Sequence, residues 1–261
     1  MPTTATTHES QSPGVTHARK HRNTATVART VSDAPPPPAP ERYVLKDFRG
    51  SSHRILAGWL RELPPRTRLI EIGAATGHLA ILVSRADLEW LALESEISYL
   101  GELRRRFSGA AIVDVDGLSR LPRGYDVMIA ADVLEHLLSP ERTLRMVHAA
   151  LHPGGRLLMS VPNVAHVYVR LALLFGRFPY ADRGILDRTH RVFFSRHSTR
   201  ELVARCGFRI EREAVTTVPL PLAFPHWPPW MLRSGGWLLE KVTQALPELF
   251  GYQFLVSARR L

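Results

Sequence analysis

The stretch Arg68-Leu69-Ile70-Glu71-Ile72-Gly73-Ala74-Ala75-Thr76-Gly77 decides the fold. Arg68–Ile72 reads as a buried strand and Gly77–Ser84 as a helix, with a turn of small residues between them. A strand, a small-residue turn and a helix start together form a ligand site at the carboxyl end of a parallel sheet. Gly73 permits the tight turn, Ala74 and Ala75 keep side chains out of a ligand's way, and Gly77 lets the helix pack close.

Upstream, Ile55, Leu56, Trp59, Leu60 and Leu63 fall on one face of a helix over Ser52–Leu63, with serines placed to cap its start and Pro64-Pro65 to stop it. Downstream, strands and helices alternate. Strand Trp90–Leu93 is followed by helix Ile97–Arg106, strand Ala111–Val113 and strand Tyr125–Ala130. Helix Pro140–Leu151, capped by Ser139 and followed by Gly154-Gly155, leads to strand Arg156–Val161. Short apolar strands separated by helices imply an α/β fold whose parallel sheet is covered on both faces. The alternation then breaks. Ser198-Thr199-Arg200-Glu201 reads as a capping box for a helix ending at Gly207, and strands Phe208–Thr216 and Tyr252–Arg259 follow. Between those two strands lies a long segment carrying Trp227, Trp230 and Trp237.

A dinucleotide would place its pyrophosphate at the helix N-terminus after the first strand, where G-x-G-x-x-G is the usual pattern. That pattern is absent, and Glu71, read as a fixed anion at the turn, opposes a diphosphate. A ligand with an ammonium and no phosphate suits the turn better, and S-adenosylmethionine is such a ligand. Glu94, at the tip of the second strand, can accept from both ribose hydroxyls of any adenosine ligand. Asp114, at the tip of the third, can accept from an adenine amino group, with Asp116 close behind as an alternative.

These residues resemble the class I S-adenosylmethionine-dependent methyltransferases. The resemblance is carried by Glu71 to Gly77, Glu94, Asp126, Ala131-Asp132-Val133-Leu134-Glu135-His136-Leu137, Pro153-Gly154-Gly155 and Ser160-Val161-Pro162-Asn163, and it extends from about Tyr43 to Arg259. It is similar above all to a bacterial small-molecule group related to the O-methyltransferases of quinone biosynthesis. The resemblance implies a Rossmann-like, doubly wound, mostly parallel seven-stranded sheet with an antiparallel last strand, in a three-layer sandwich. It further implies S-adenosyl-L-methionine as cofactor. Glu71, Gly73, Ala74 and Gly77 would line its methionine end, Glu94 its ribose, and Asp114 and Val115 its adenine, with Ala131 beside it. Ala75 departs from the pattern, because many members have a glycine there.

Methyl transfer needs alignment above all, and a base only when the acceptor must lose a proton. His190, in Asp187-Arg188-Thr189-His190-Arg191, and His166, just past the fifth strand, are the candidate bases; His136 is expected to shape the cofactor pocket. Two insertions after strand ends, about 164–195 and 217–250, are placed where substrate loops belong. They are expected to form an apolar lid for a hydrophobic or lipid-linked acceptor, although core packing of their aromatics is the simplest explanation. The methylated group is expected to be a hydroxyl of a metabolite, sugar or lipid-linked intermediate.

Composition sets the outer limits. The chain has 261 residues, 34 Lys and Arg against 24 Asp and Glu, and a net charge of +10. The arginines are scattered and form no stripe with interleaved aromatics, so no nucleic-acid partner is expected. Cys206 is the single cysteine, which excludes an intramolecular disulfide and a thiolate zinc site, and no metal is expected. Residues 1–40, ending in Pro35-Pro36-Pro37-Pro38, read as a disordered tail ahead of a domain over 41–261. No apolar run is long enough to span a bilayer, a membrane surface is not an expected partner, and a cytoplasmic location is expected. Two competing readings are a cofactor-binding module without catalysis and an NAD-dependent oxidoreductase.

Overall fold

The computed structural model describes residues 45–220 and 226–261. The expected tail over 1–40, the domain start at Glu41 and part of the second insertion lie outside the described residues.

Strands β1 (Arg68–Ile72), β2 (Glu89–Glu94), β3 (Gly109–Ile112), β4 (Tyr125–Ala131), β5 (Leu151–Pro162), β6 (Phe208–Val215) and β7 (Gln253–Arg260) form one sheet in the order β3-β2-β1-β4-β5-β7-β6. The first five pair in parallel. The last, β7, inserts between β5 and β6 and runs antiparallel to both. The order reverses beside β1, so the crevice outside the tips of β1, β2 and β4 is the topological switch point where such sheets bind ligands.

Helices cover both faces. On one, α1 (Ser52–Arg61), α2 (His78–Val83) and α3 (Leu100–Arg106) press Leu56, Leu60, Leu79 and Leu103 onto Leu69, Ala92 and Ile129. On the other, α4 (Pro140–Ala150) and α6 (Arg196–Arg205) press Leu144, Val147, Leu202 and Val203 onto Ile70, Met128 and Leu157. Each such leucine removes about 1.5–3 kcal/mol of apolar surface from water. The central strands β1 and β4 are apolar nearly throughout because neither sheet face meets solvent there. For the same reason Glu71, which follows the alternation of Leu69, is buried.

Several boundaries differ from the sequence reading. The capping box sits three residues earlier: Ser195 caps α6 and Ser198 answers it at the third position. The start of α1 agrees with that reading, with Ser51 capping it by accepting from the Arg54 amide, but the helix ends at Arg61 rather than Leu63. Strand β5 starts at Leu151 because Gly154 and Gly155 do not end the strand; they fall in an irregularity that shifts its register against β4. The first insertion contains α5 (Val167–Leu174), and the second contains α7 (Pro229–Ala245) and α8 (Pro247–Phe250). Trp227, Trp230 and Trp237 are exposed, which corrects the core-packing explanation. Among the described residues, no helix is long and apolar enough to cross a membrane.

Candidate active site

The turn after β1 is built by two glycines in the left-handed region, Gly73 at φ +69° and Gly77 at φ +79°. A Cβ on Gly73 would come within 2.5 Å of Val133 Cγ2, and one on Gly77 within 2.7 Å of Phe107 Cε2. Substitution at either therefore meets strain and a clash together. Ala75 also takes a positive φ, +47°, and carries a Cβ there. Glu94 ties the turn to β2. One carboxylate oxygen accepts from the Ala75 amide at 2.8 Å, and the other from the Ser95 amide at 2.7 Å and the Glu96 amide at 3.1 Å.

Glu71 differs from its reading as a fixed anion. It is 3% exposed, and among the described residues its Oε2 has no hydrogen-bond partner. Burial, and then the charge of nearby Glu94, pushes its carboxyl up to about 8. At neutral pH it is largely neutral until a cation reaches it. Asp114 is exposed beyond the tip of β3 and accepts from the Asp116 amide, capping the turn that buries Val115. Asp116 instead accepts from the Leu138 amide at 3.1 Å. Of the two, Asp114 is the more open to a ligand.

The tip of β4 holds a cluster that sequence reasoning did not single out. Ala131 leads into Asp132, whose φ is +55°. The Asp132 carboxylate accepts from Lys46 Nζ at 2.7 Å, from Gln253 Nε2 at 2.8 Å and from the Ser160 hydroxyl. Burial opposes its charge, but the Lys46 ammonium and these donors hold it well below the usual carboxylate range. Burial also opposes the Lys46 charge, and Asp132 outweighs it, leaving that pKa raised. His53 lies against Lys46; burial and then that ammonium lower it to about 4. Lys46 and Asp132 are 86 residues apart, so no local pattern announces the pair.

Beyond β4 the candidate bases separate. His166 is buried, and its Nδ1 accepts from the Tyr168 amide as the cap of α5. His190 is partly exposed, and its Nδ1 lies 3.0 Å from the Ile185 carbonyl. A carbonyl only accepts, so Nδ1 carries the proton and Nε2 keeps its lone pair. His136 packs edge-on to His190 with centroids 4.8 Å apart, and its Nδ1 meets the Thr189 hydroxyl at 3.1 Å. Burial, then the proximity of His136, holds His190 below the ordinary histidine value. Ligand atoms of Glu135, His136 and His190 lie within 4.8 Å of one another, close enough to share one cation. Glu135 is buried, its Oε2 has no partner among the described residues, and burial followed by Asp132 raises its carboxyl well above normal.

A parallel sheet with an inserted antiparallel strand, and acids at the tips of β1, β2 and β4 around a glycine turn, defines a class I S-adenosylmethionine-dependent methyltransferase. The chain belongs to the methyltransferase domain family, which matches it over residues 18–213. It is 27% identical over 172 residues, 58% of this chain, to a highly reducing polyketide synthase of Gibberella zeae. The chain spans only 7% of that relative's length. Two solved structures share the fold. An S-adenosylmethionine-dependent methyltransferase from Mesorhizobium loti has a TM-score of 0.54 at 18% identity, covering 81% of this chain and 99% of that one. The magnesium protoporphyrin IX methyltransferase of Synechocystis PCC 6803, solved with bound S-adenosylhomocysteine, gives 0.54 at 16% identity, covering 80% and 84%.

Proposed function

We propose that this protein transfers a methyl group from S-adenosylmethionine to a hydroxyl of a small metabolite, sugar or lipid-linked acceptor, with His190 taking the hydroxyl proton. When bound, the cofactor supplies a methyl carbon activated by its sulfonium. The site residues fit it. Glu71 Oε2 is a buried oxygen without a partner among the described residues, suited to an ammonium, and the turn at Gly73 leaves no room for a side chain. Gly73, Ala74 and Gly77 line the methionine end in this reading, Glu94 the ribose, Asp114 and Val115 the adenine, and Ala131 the cofactor's flank.

The observation that carries the choice of base is the Nδ1–H of His190 committed to the Ile185 carbonyl. It leaves Nε2 unprotonated, and the lowered pKa keeps the ring neutral near pH 7. His166 Nδ1 instead accepts from the Tyr168 amide, so its Nε2 carries the proton of the neutral ring and has no lone pair to offer, and His190 is the better placed of the two. Removing a general base of this kind costs about 10²–10⁴-fold in rate. His190→Ala is expected to lose turnover on that scale with S-adenosylhomocysteine affinity unchanged. The acid limb of wild-type kcat/KM should lie below the ordinary histidine pKa. A His190→Ala enzyme that turns over at the wild-type rate removes the assignment.

A second reading has its own observation. Glu135, His136 and His190 can hold a divalent ion that acidifies the acceptor hydroxyl. Loss of turnover on dialysis against a chelator, restored by one divalent metal, would favour it; chelator-resistant turnover favours the histidine alone.

A further inference from the structure

Helix α5 reads Val-Tyr-Val-Arg-Leu-Ala-Leu-Leu, apolar around nearly its whole circumference, yet Val169 is its only buried residue. A helix of that composition is normally buried on every side. Here Tyr168, Leu171, Leu173 and Leu174 are exposed, as are Phe175 and Tyr180 just beyond the helix. Leu174 and Phe175 are 76% and 75% exposed. Contiguous apolar surface of this kind marks a site that something else covers.

Charge identifies the cover. The segment 164–195 has five arginines, Arg170, Arg177, Arg183, Arg188 and Arg191, against two acids, Asp182 and Asp187. Asp182 pairs with Arg188 at 3.4 Å, and Asp187 accepts from the Thr189 amide and hydroxyl. Among the described residues, Asp182–Arg188 is the segment's ion pair, and Arg177, Arg183 and Arg191 form none. A symmetric contact with a second copy would set these guanidiniums against themselves, with Asp187 the one acid of the segment outside an ion pair among the described residues. An anionic lipid surface meets both needs, apolar depth for the leucines and phenylalanine and negative headgroups for the arginines.

The second insertion adds to this. Asn163, just ahead of α5, donates to the Glu248 and Gly251 carbonyls, so the two insertions leave the sheet side by side. In α7, Trp230 and Trp237 are both exposed and two turns apart, on one stripe. Tryptophan is the residue favoured at a lipid–water boundary.

We propose that the α5 segment is a peripheral docking surface for an anionic membrane, seating Leu174 and Phe175 below the headgroups and Arg177 and Arg183 among them. The inference goes beyond the proposed reaction and does not depend on it.

The test is co-sedimentation of the full chain with phosphatidylcholine vesicles and with vesicles containing phosphatidylglycerol. Binding to the anionic vesicles alone is expected, weakening as salt is raised. Leu174→Glu/Phe175→Glu should reduce it about ten-fold or more, and Arg177→Glu/Arg183→Glu several-fold. Both variants should keep the wild-type melting temperature and S-adenosylhomocysteine affinity, which separates lost docking from lost folding. No binding at low salt overturns the proposal. So does binding that survives both pairs of substitutions, or equal binding to neutral vesicles. A solution dimer that Leu174→Glu/Phe175→Glu dissolves, without vesicle binding, assigns the face to self-association and also overturns it.

Discussion

Glu71 carries the chemistry that is easiest to weigh at the scale of a single residue. With its carboxyl pushed up to about 8, it is mostly protonated at pH 7 in the free protein. A ligand ammonium favours the carboxylate, so binding should expel that proton. Calorimetry with S-adenosylhomocysteine, in buffers of different ionisation enthalpy, is expected to report release of roughly one proton at pH 7. Glu71→Gln should abolish the release and weaken binding; a heat independent of buffer would refute this role. The same shift works against the fold. From its ordinary 4.5 up to about 8 the folded state holds the extra proton, so this group's contribution falls as pH rises through that window. Ala75 offers an independent check. A residue with a Cβ at φ +47° costs about 1 kcal/mol, and Ala75→Gly should raise the melting temperature by about 2–4 °C.

The elements show why some features were legible in the sequence and others were not. Buried parallel strands are short apolar runs, so β1, β2 and β4 announce themselves, as does α4 with its serine cap and first-position proline. A glycine pair looks like a stop, and Gly154-Gly155 hid the start of β5, because an irregularity in a strand has the same composition as a turn. Ser198 looked like a cap because a serine can fill either position of the box; only the backbone shows that Ser195 opens α6 and Ser198 answers it. Glu71, Glu94 and Asp114 were readable one by one, since each lies at or just past the end of its own strand. The Glu71 charge state was not, because it depends on helices packed over the sheet. His166 belongs at this scale too. As the cap of α5, its replacement by Ala should cost about 1 kcal/mol of stability and leave the chemical step nearly intact. A thermal melt beside a single-turnover rate reads both.

Across the whole molecule, three distant segments meet at Asp132: Lys46 ahead of α1, Ser160 in β5 and Gln253 at the start of β7. Removing Lys46 strands a largely buried carboxylate. Since the lysine side chain is 33% exposed, the full penalty for a buried pair is discounted, and Lys46→Ala is expected to cost about 1–3 kcal/mol by chemical denaturation. The double variant Lys46→Ala/Asp132→Asn should recover part of that loss; strict additivity would show that the pair is not coupled. Asp132 is depressed, so its contribution is present above its ordinary 3.8 and lost as pH falls below it.

The order of the sheet has a consequence during synthesis. Because β7 lies between β5 and β6 but follows both in the chain, the ribosome finishes two strands before the one that joins them exists. Until it emerges, β6 has no neighbour and β5 offers an unpaired edge, the kind of surface on which nascent proteins aggregate. Gln253, one ligand of the Asp132 cluster, arrives with that same strand. The hydrogen-bond set around Asp132 is therefore completed only once β7 has emerged and paired.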